Sequence, residues 1–203
     1  MKVKILAIAF ALTLSSYFAW SQITSEKSVE AAPGIPLPSR GGIYVLESGK
    51  DKQLVRLVPS EVLLNRHTGS NIAKSVFYVG SRMTLDLTGT TPKTIIHSGD
   101  ISFFYRLNPD QPNLDLSRLA LVKLEIVGEV RVLSALDANA FGGGAKRKYK
   151  QVDVNKQELP GEEWVKVTPI QKLEPGDYAI SLFPKDPKLF PDTAFDFRID
   201  MGK

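Results

Sequence analysis

His97-Ser98-Gly99-Asp100 places histidine, serine and aspartate, the three residue types of a nucleophilic triad, within four positions. A triad needs them to converge in space, whereas neighbours on a strand point to opposite faces. No Gly-x-Ser-x-Gly elbow is present. The stretch therefore reads as a turn after a strand. Metal chemistry has as little to work with. The chain has no cysteine and two isolated histidines, His67 and His97, without His-x-His or His-Glu-x-x-His spacing. Asp110 to Asp115 includes Asn113 but lacks the glycine and closing glutamate of a calcium loop. Glu162 and Glu163 beside Trp164 suggest an acid and base next to a sugar-stacking ring, yet glycosidase carboxylates face each other across a substrate. They read instead as solvated glutamates after a Pro160-Gly161 turn, with Trp164 capping the core edge. No catalytic residue, metal or cofactor is assigned.

The binding candidate is FGGGAKRKYK, 141 to 150. Gly142 to Gly144 provide a mobile backbone, and Lys146, Arg147, Lys148 and Lys150 surround Tyr149. The spacing of a phosphate-binding Gly-rich loop ending in Lys and Ser or Thr is missing. What remains is a positive loop suited to an acidic polysaccharide, lipid headgroups or an acidic envelope protein. The plainer reading is a solvated hairpin loop whose charges keep an edge unpaired.

These residues must be held by strands, because the hydrophobic period after Gly41-Gly42 is two. In RMTLDLTG, Met83, Leu85 and Leu87 alternate with Arg82, Thr84, Asp86 and Thr88; in FDFRID, Phe195, Phe197 and Ile199 alternate with Asp196, Arg198 and Asp200. Similar runs begin near residues 43, 53, 75, 94, 101, 149, 164 and 177. In LALVKLEIVGEVRVL one parity continues through Gly128, which implies a bent strand, a bulge or a tight turn there. Only SEVLLNRH (60 to 67) and LDLSRLA (114 to 120) suit a helical turn or two. The expectation is an all-β antiparallel β-sandwich of Greek-key, immunoglobulin-like type, with extra strands and at most short helical turns. One domain spans 41–203; the alternative is two small sandwiches split near 108–118, a loop rich in turn residues.

LEPGDYAISLF, 173 to 183, adds a specific device. Pro175 and Gly176 suit a tight turn, and Tyr178 can pack its ring in the core while its hydroxyl returns to the preceding backbone. The stretch resembles the tyrosine corner of fibronectin type III and other immunoglobulin-like domains, with FDFRID as closing strand. More broadly, GGIYVLE, QLVRLVPSEV, LEPGDYAI and FDFRID together resemble a group of uncharacterised exported bacterial β-sandwich proteins. In that group a Leu-x-Pro-Gly-Glu-Tyr-Ala turn and an ending of Phe-Asp-Phe-Gly followed by Ile or Val recur. Here Asp177 replaces the glutamate and Arg198 the glycine. The resemblance implies a bacterial envelope or secreted origin and carries no activity.

The N-terminus agrees. Lys2 and Lys4 precede an apolar run from Ile5 to Leu14, too short for the roughly 20 residues of a membrane span, and Ala19-Trp20-Ser21 fits a cleavage site. Residues 1–21 are expected to be a signal peptide and 22–40 a flexible Pro-rich linker. The net charge of +4 includes Lys2 and Lys4, so the cleaved chain carries +2 and nucleic acid is not an expected partner. No transmembrane segment is expected after cleavage. The expected function is a non-enzymatic, exported, periplasmic or secreted binding or structural module of the bacterial cell envelope. The alternative is an extracytoplasmic hydrolase with its carboxylates on separate loops.

Overall fold

The structure is a computed structural model that describes residues 29–48, 52–66, 83–108, 114–137, 146–161 and 163–202. It is all-β, antiparallel and sandwich-like. The first sheet has five strands in the order β14 (Val154–Glu158), β15 (Trp164–Pro169), β8 (Ile101–Arg106), β3 (Ile43–Glu47) and β4 (Leu54–Arg56). Its register aligns Val45, Phe103 and Val167 across three strands, all fully buried. Each such side chain contributes about 1.5–3 kcal/mol by leaving water.

The opposite face of this sheet is covered too. β1 (Glu30–Ala32) and β2 (Ile35–Pro36) form a hairpin that lays Ala31, Ala32, Ile35 and Leu37 over Tyr44, Phe104 and Trp164. Within the 22–40 stretch read as a linker, the described residues 29–37 thus contribute a hairpin and apolar contacts. Pro33 and Gly34 make the turn, with Gly34 at φ 78°, and the Leu37 N–H donates to the Val29 carbonyl at 2.7 Å. The prolines here close a turn rather than stiffen a tether. With a layer on each face, β3 buries four consecutive residues, which explains why IYVL shows no alternation.

The second sheet follows the path β10 (Glu125–Val127), β11 (Val130–Asp137), β6 (Met83–Thr88), β5 (Pro59–Arg66), β17 (Thr193–Ile199), β16 (Gly176–Leu182), β9 (Leu119–Lys123) and β13 (Lys150–Val152). β7 (Ile95–Ile96) adds to β17 in parallel. β12 (Lys146–Lys148) pairs with β11, while β13, one residue further on, pairs with β9. The stretch 146–152 thus links β11, next to one end of the path, with β9 near the other, and the sheet curls into a half-barrel. Its convex face sends Leu119, Leu121, Tyr178, Ile180, Phe197 and Ile199 against the first sheet. Its concave face holds Leu85, Leu87, Val122, Leu133 and Phe183 with Ala120, Ala179 and Ala194, small residues where curvature brings strands together.

Two expectations change in detail. The described part of SEVLLNRH is not helical; 59–66 is a strand that pairs with β17 through residues 59–61 and with β6 through 62–66. LDLSRLA keeps one 3₁₀ turn, Leu116–Arg118, before β9 begins. Gly128, at φ 63°, makes the tight turn of the β10–β11 hairpin, in which Val127 faces Val130. Both sheets draw strands from either side of 108–118, so those residues separate no core.

The Tyr178 hydroxyl donates to the Glu174 carbonyl at 3.0 Å, four residues back, and its ring stacks on Phe197. Tyr44 repeats the device at the start of β3, donating to the Arg40 carbonyl at 3.1 Å. Each tyrosine follows by two positions a glycine in positive φ, Gly176 at 148° and Gly42 at 141°, where a side chain would be strained. We expect Tyr178→Phe and Tyr44→Phe each to lower unfolding free energy in urea by about 1 kcal/mol, the net worth of one hydrogen bond.

Inside the half-barrel, Arg131 pairs with Asp196, both side chains no more than 2 % exposed. Ser60 Oγ donates to Asp196 Oδ1 at 2.6 Å, and Arg131 also donates to the carbonyls of Thr88 and Gly89 at 3.0 and 2.9 Å. Asp196→Ala should cost about 3–5 kcal/mol by leaving a buried guanidinium uncompensated. In the same urea titrations, Arg131→Met with Asp196→Leu should recover most of that loss.

Candidate functional site

The stretch expected to bind anions splits by strand parity. Arg147 turns inward, donating to the carbonyls of Pro184, Asp186 and Leu189 at 3.2, 3.1 and 2.7 Å, with its guanidinium 5.1 Å from the Phe183 ring centre. Burial lowers its pKa. Tyr149 also stacks on Phe183, with ring centres 4.9 Å apart and planes nearly parallel. Lys146 is exposed, Lys148 lies opposite Ala135 in β11, and Lys150 is bound to Glu125 at 3.1 Å. The structure therefore brings Arg147 and Tyr149 together as a clasp on the 183–189 loop and separates them from the lysines. Gly142 to Gly144 lie outside the described residues.

The remaining candidates are likewise engaged. The His97 N–H donates to Glu47 Oε2 at 3.0 Å, and its Nδ1 lies 3.0 Å from the Asp200 carbonyl, which sets Nδ1 as the protonated nitrogen. Ser98 Oγ accepts from the Asp100 N–H at 3.1 Å, closing a turn. A Cβ on Gly99 would lie 2.0 Å from the Leu173 carbonyl oxygen, so this turn packs backbone to backbone. His67 and Glu162 lie outside the described residues. Glu163 pairs with Arg106 at 3.0 Å, and Trp164 is buried edge-on against Tyr44 rather than offered as a platform. Among the described residues, no group of three or more His, Cys, Asp or Glu is placed to hold a metal.

A different place has the form of a binding site. On the outer face of β5, β6 and β11, the register aligns Leu63 with Asp86 and Thr88 with Val130. Together with Asn65, Gly89, Thr90 and Glu129 they line an open cleft of about 740 Å³. At its floor Asp86 is 3 % exposed. Its Oδ2 accepts from Asn65 Nδ2 at 2.9 Å, while its Oδ1 is buried with no hydrogen-bond partner. Leu63, 43 % exposed, forms part of an apolar wall. Sequence reading passed over Asp86 because alternation placed it on the solvent side of MTLDLT. The one available signal is that it is the charged residue among apolar and threonine neighbours in that strand.

A second concavity, about 560 Å³, lies beside Leu124, Gly176 and Asp177. There Arg198 grips Asp177 with two hydrogen bonds, at 2.6 and 3.0 Å, which raise the arginine pKa. Lys123 reaches Glu174 at 3.2 Å. Its charges satisfy one another. No family model, curated protein or solved structure matches the chain.

Asp115 offers a direct check of this engaged state. Ser117 donates to its Oδ1 from both Oγ, at 2.6 Å, and N–H, at 3.0 Å, and Lys185 lies 3.0 Å from Oδ2. The serine hydroxyl first, then the lysine, lowers its pKa from 3.8 to about 2. A depressed carboxyl stabilises the fold above its unfolded pKa, and that contribution fades as pH falls through the folded value. Side-chain carboxyl NMR should show Asp115 titrating near 2, and Ser117→Ala should move the midpoint upward. A midpoint unchanged by the substitution would remove the serine from this role.

Proposed function

We propose that the chain is a non-enzymatic, exported binding or structural module of the bacterial cell envelope, and that it binds through the cleft on β5, β6 and β11. Export rests on the layout of residues 1–21. The binding reading is carried by one observation: a concave site of ligand size whose floor holds a buried carboxylate oxygen without a partner. By contrast, Arg147, Tyr149, His97 and Glu163 are engaged in contacts within the fold. The lysines 146, 148 and 150 supply positive charge next to the clasp, where an acidic polysaccharide, a lipid headgroup or an envelope protein would add to the attachment.

The alternative, an extracytoplasmic hydrolase, draws on the same cleft because Asp86 and Glu129 both line it. Turnover of a glycan or ester substrate that disappears in Asp86→Asn would establish that reading.

The binding reading is tested in the native organism with a photo-reactive amino acid at position 63, and at exposed Ile170 beside β15 as control. We expect a discrete adduct from position 63 in the extracytoplasmic fraction, none from position 170, and a recovered chain beginning at Gln22. Equal labelling from both positions, or none from position 63, would count against the cleft.

A further inference from the structure

Three aspartates are buried among the described residues: Asp86, Asp177 and Asp196. Two of them have an arginine. Asp196 holds Arg131, and Asp177 is gripped by Arg198 through both oxygens. Asp86, a lining residue of the cleft, has the Asn65 amide alone, on one oxygen, and its other oxygen is buried without a partner. A carboxylate offers about four acceptor positions, and buried carboxylates are as a rule paired with a cation or coordinated to a metal. Resting on the binding reading above, we propose that the cleft is a subsite for an alkylammonium or alkylguanidinium group that pairs with the under-satisfied Asp86 carboxylate.

The surroundings select this chemistry over others. The described lining contains no lysine, arginine or histidine, and Glu129 adds a second negative charge at the exposed rim, so an anion would meet repulsion without a donor. A divalent metal requires several oxygen ligands, and no such acidic group is assembled here among the described residues. Thr88, Gly89 and Thr90 also line the cleft, but their backbone carbonyls already accept from Arg131 and Arg198. That leaves the Asp86 and Glu129 carboxylates as the strong acceptors. Leu63, Leu64 and Val130 supply apolar surface along which a methylene stem can lie, as the stems of lysine and arginine commonly do. The volume, about 740 Å³, accommodates such a side chain with room for the backbone that carries it.

The test uses the cleaved full chain and follows the Asn65 side-chain amide and the Val130 backbone amide by NMR. N-acetyl-arginine methylamide and N-acetyl-lysine methylamide are titrated against N-acetyl-citrulline methylamide, which keeps the shape of arginine without its charge. We expect saturable shifts with the two cations and roughly tenfold or more weaker binding of the citrulline probe, the discrimination that a charge-assisted hydrogen bond supplies. Asp86→Asn should reduce the cation affinity to that of the neutral probe. Should this variant fail to fold, Glu129→Gln at the exposed rim serves in its place, with a several-fold loss expected. An arginine within an extended hexapeptide separates the sources: tighter binding than the free amide points to a partner chain, equal binding to a small solute. Equal affinity for arginine and citrulline probes, or wild-type affinity in Asp86→Asn, would overturn the proposal. If neutral or anionic probes shift these resonances while cations do not, the ligand class is wrong and the binding reading stands. If no probe shifts them and position 63 forms no adduct in cells, both fall.

Discussion

The buried pair of Arg131 and Asp196 is the contact on which the curled sheet depends. A half-barrel this tight turns one face inward on every strand, and near its 88–90 end that face holds a buried arginine and aspartate beside apolar residues such as Leu87 and Ala194. Arg131 resolves that constraint by joining three strands at once: it sits on β11, reaches the carboxylate on β17, and closes the exit of β6 through two carbonyls. Ser60 brings β5 into the same group. Such a pair is weak evidence of added stability against an apolar replacement, but its geometry admits few alternatives. The charge set therefore fixes which strands are neighbours more than how tightly they hold.

The opposite face of those strands inherits the consequence. With the Thr88 and Gly89 carbonyls drawn to the inner side, the outer side of the β6 end carries side chains and the turn that follows, and the floor between β5 and β11 is left to Asp86. One strand thereby serves two unlike environments, a sealed polar interior and an open acidic cleft. The opposite end of the half-barrel is closed differently, by the aromatic and cationic stack of Tyr149, Phe183 and Arg147. At that stack the two terminal nitrogens of the guanidinium donate to three loop carbonyls, so they are committed within the fold.

Alternation in the chain revealed that there are strands, and the turn at Pro175-Gly176 revealed how Tyr178 would be used. It could not reveal a second covering layer. A period of two reports one buried face, and it becomes misleading where another layer lies on the other side. Asp86, Asp177 and Asp196 all sit at positions that alternate with buried apolar residues, yet all are buried. The same limit hid the hairpin over β3, since VEAAPGIPL has small apolar residues whose value depends on Tyr44, Phe104 and Trp164 being there to receive them. Arg147 could not be told from its neighbours for a related reason: four clustered cations look equivalent in one dimension, while a strand sends alternate members to opposite sides. Tyr44 was legible in principle, because Arg40-Gly-Gly-Ile-Tyr repeats the glycine-to-tyrosine spacing of the 174–178 turn.

β5 changes neighbours halfway along its length, from β17 to β6. Its first half can find a partner only in the last strand of the chain, and Ser60 and Asp196 are 136 positions apart. Closure of such a distant contact carries a large entropic delay and ranks among the late events of a folding reaction. A chain still emerging from a ribosome or a translocation pore would hold β6, β11 and β9 long before it could complete the wall between them. The centre of the sheet thus waits on β17, and the polar group inside the half-barrel forms only once residues as far apart as Ser60 and Asp196 are both present.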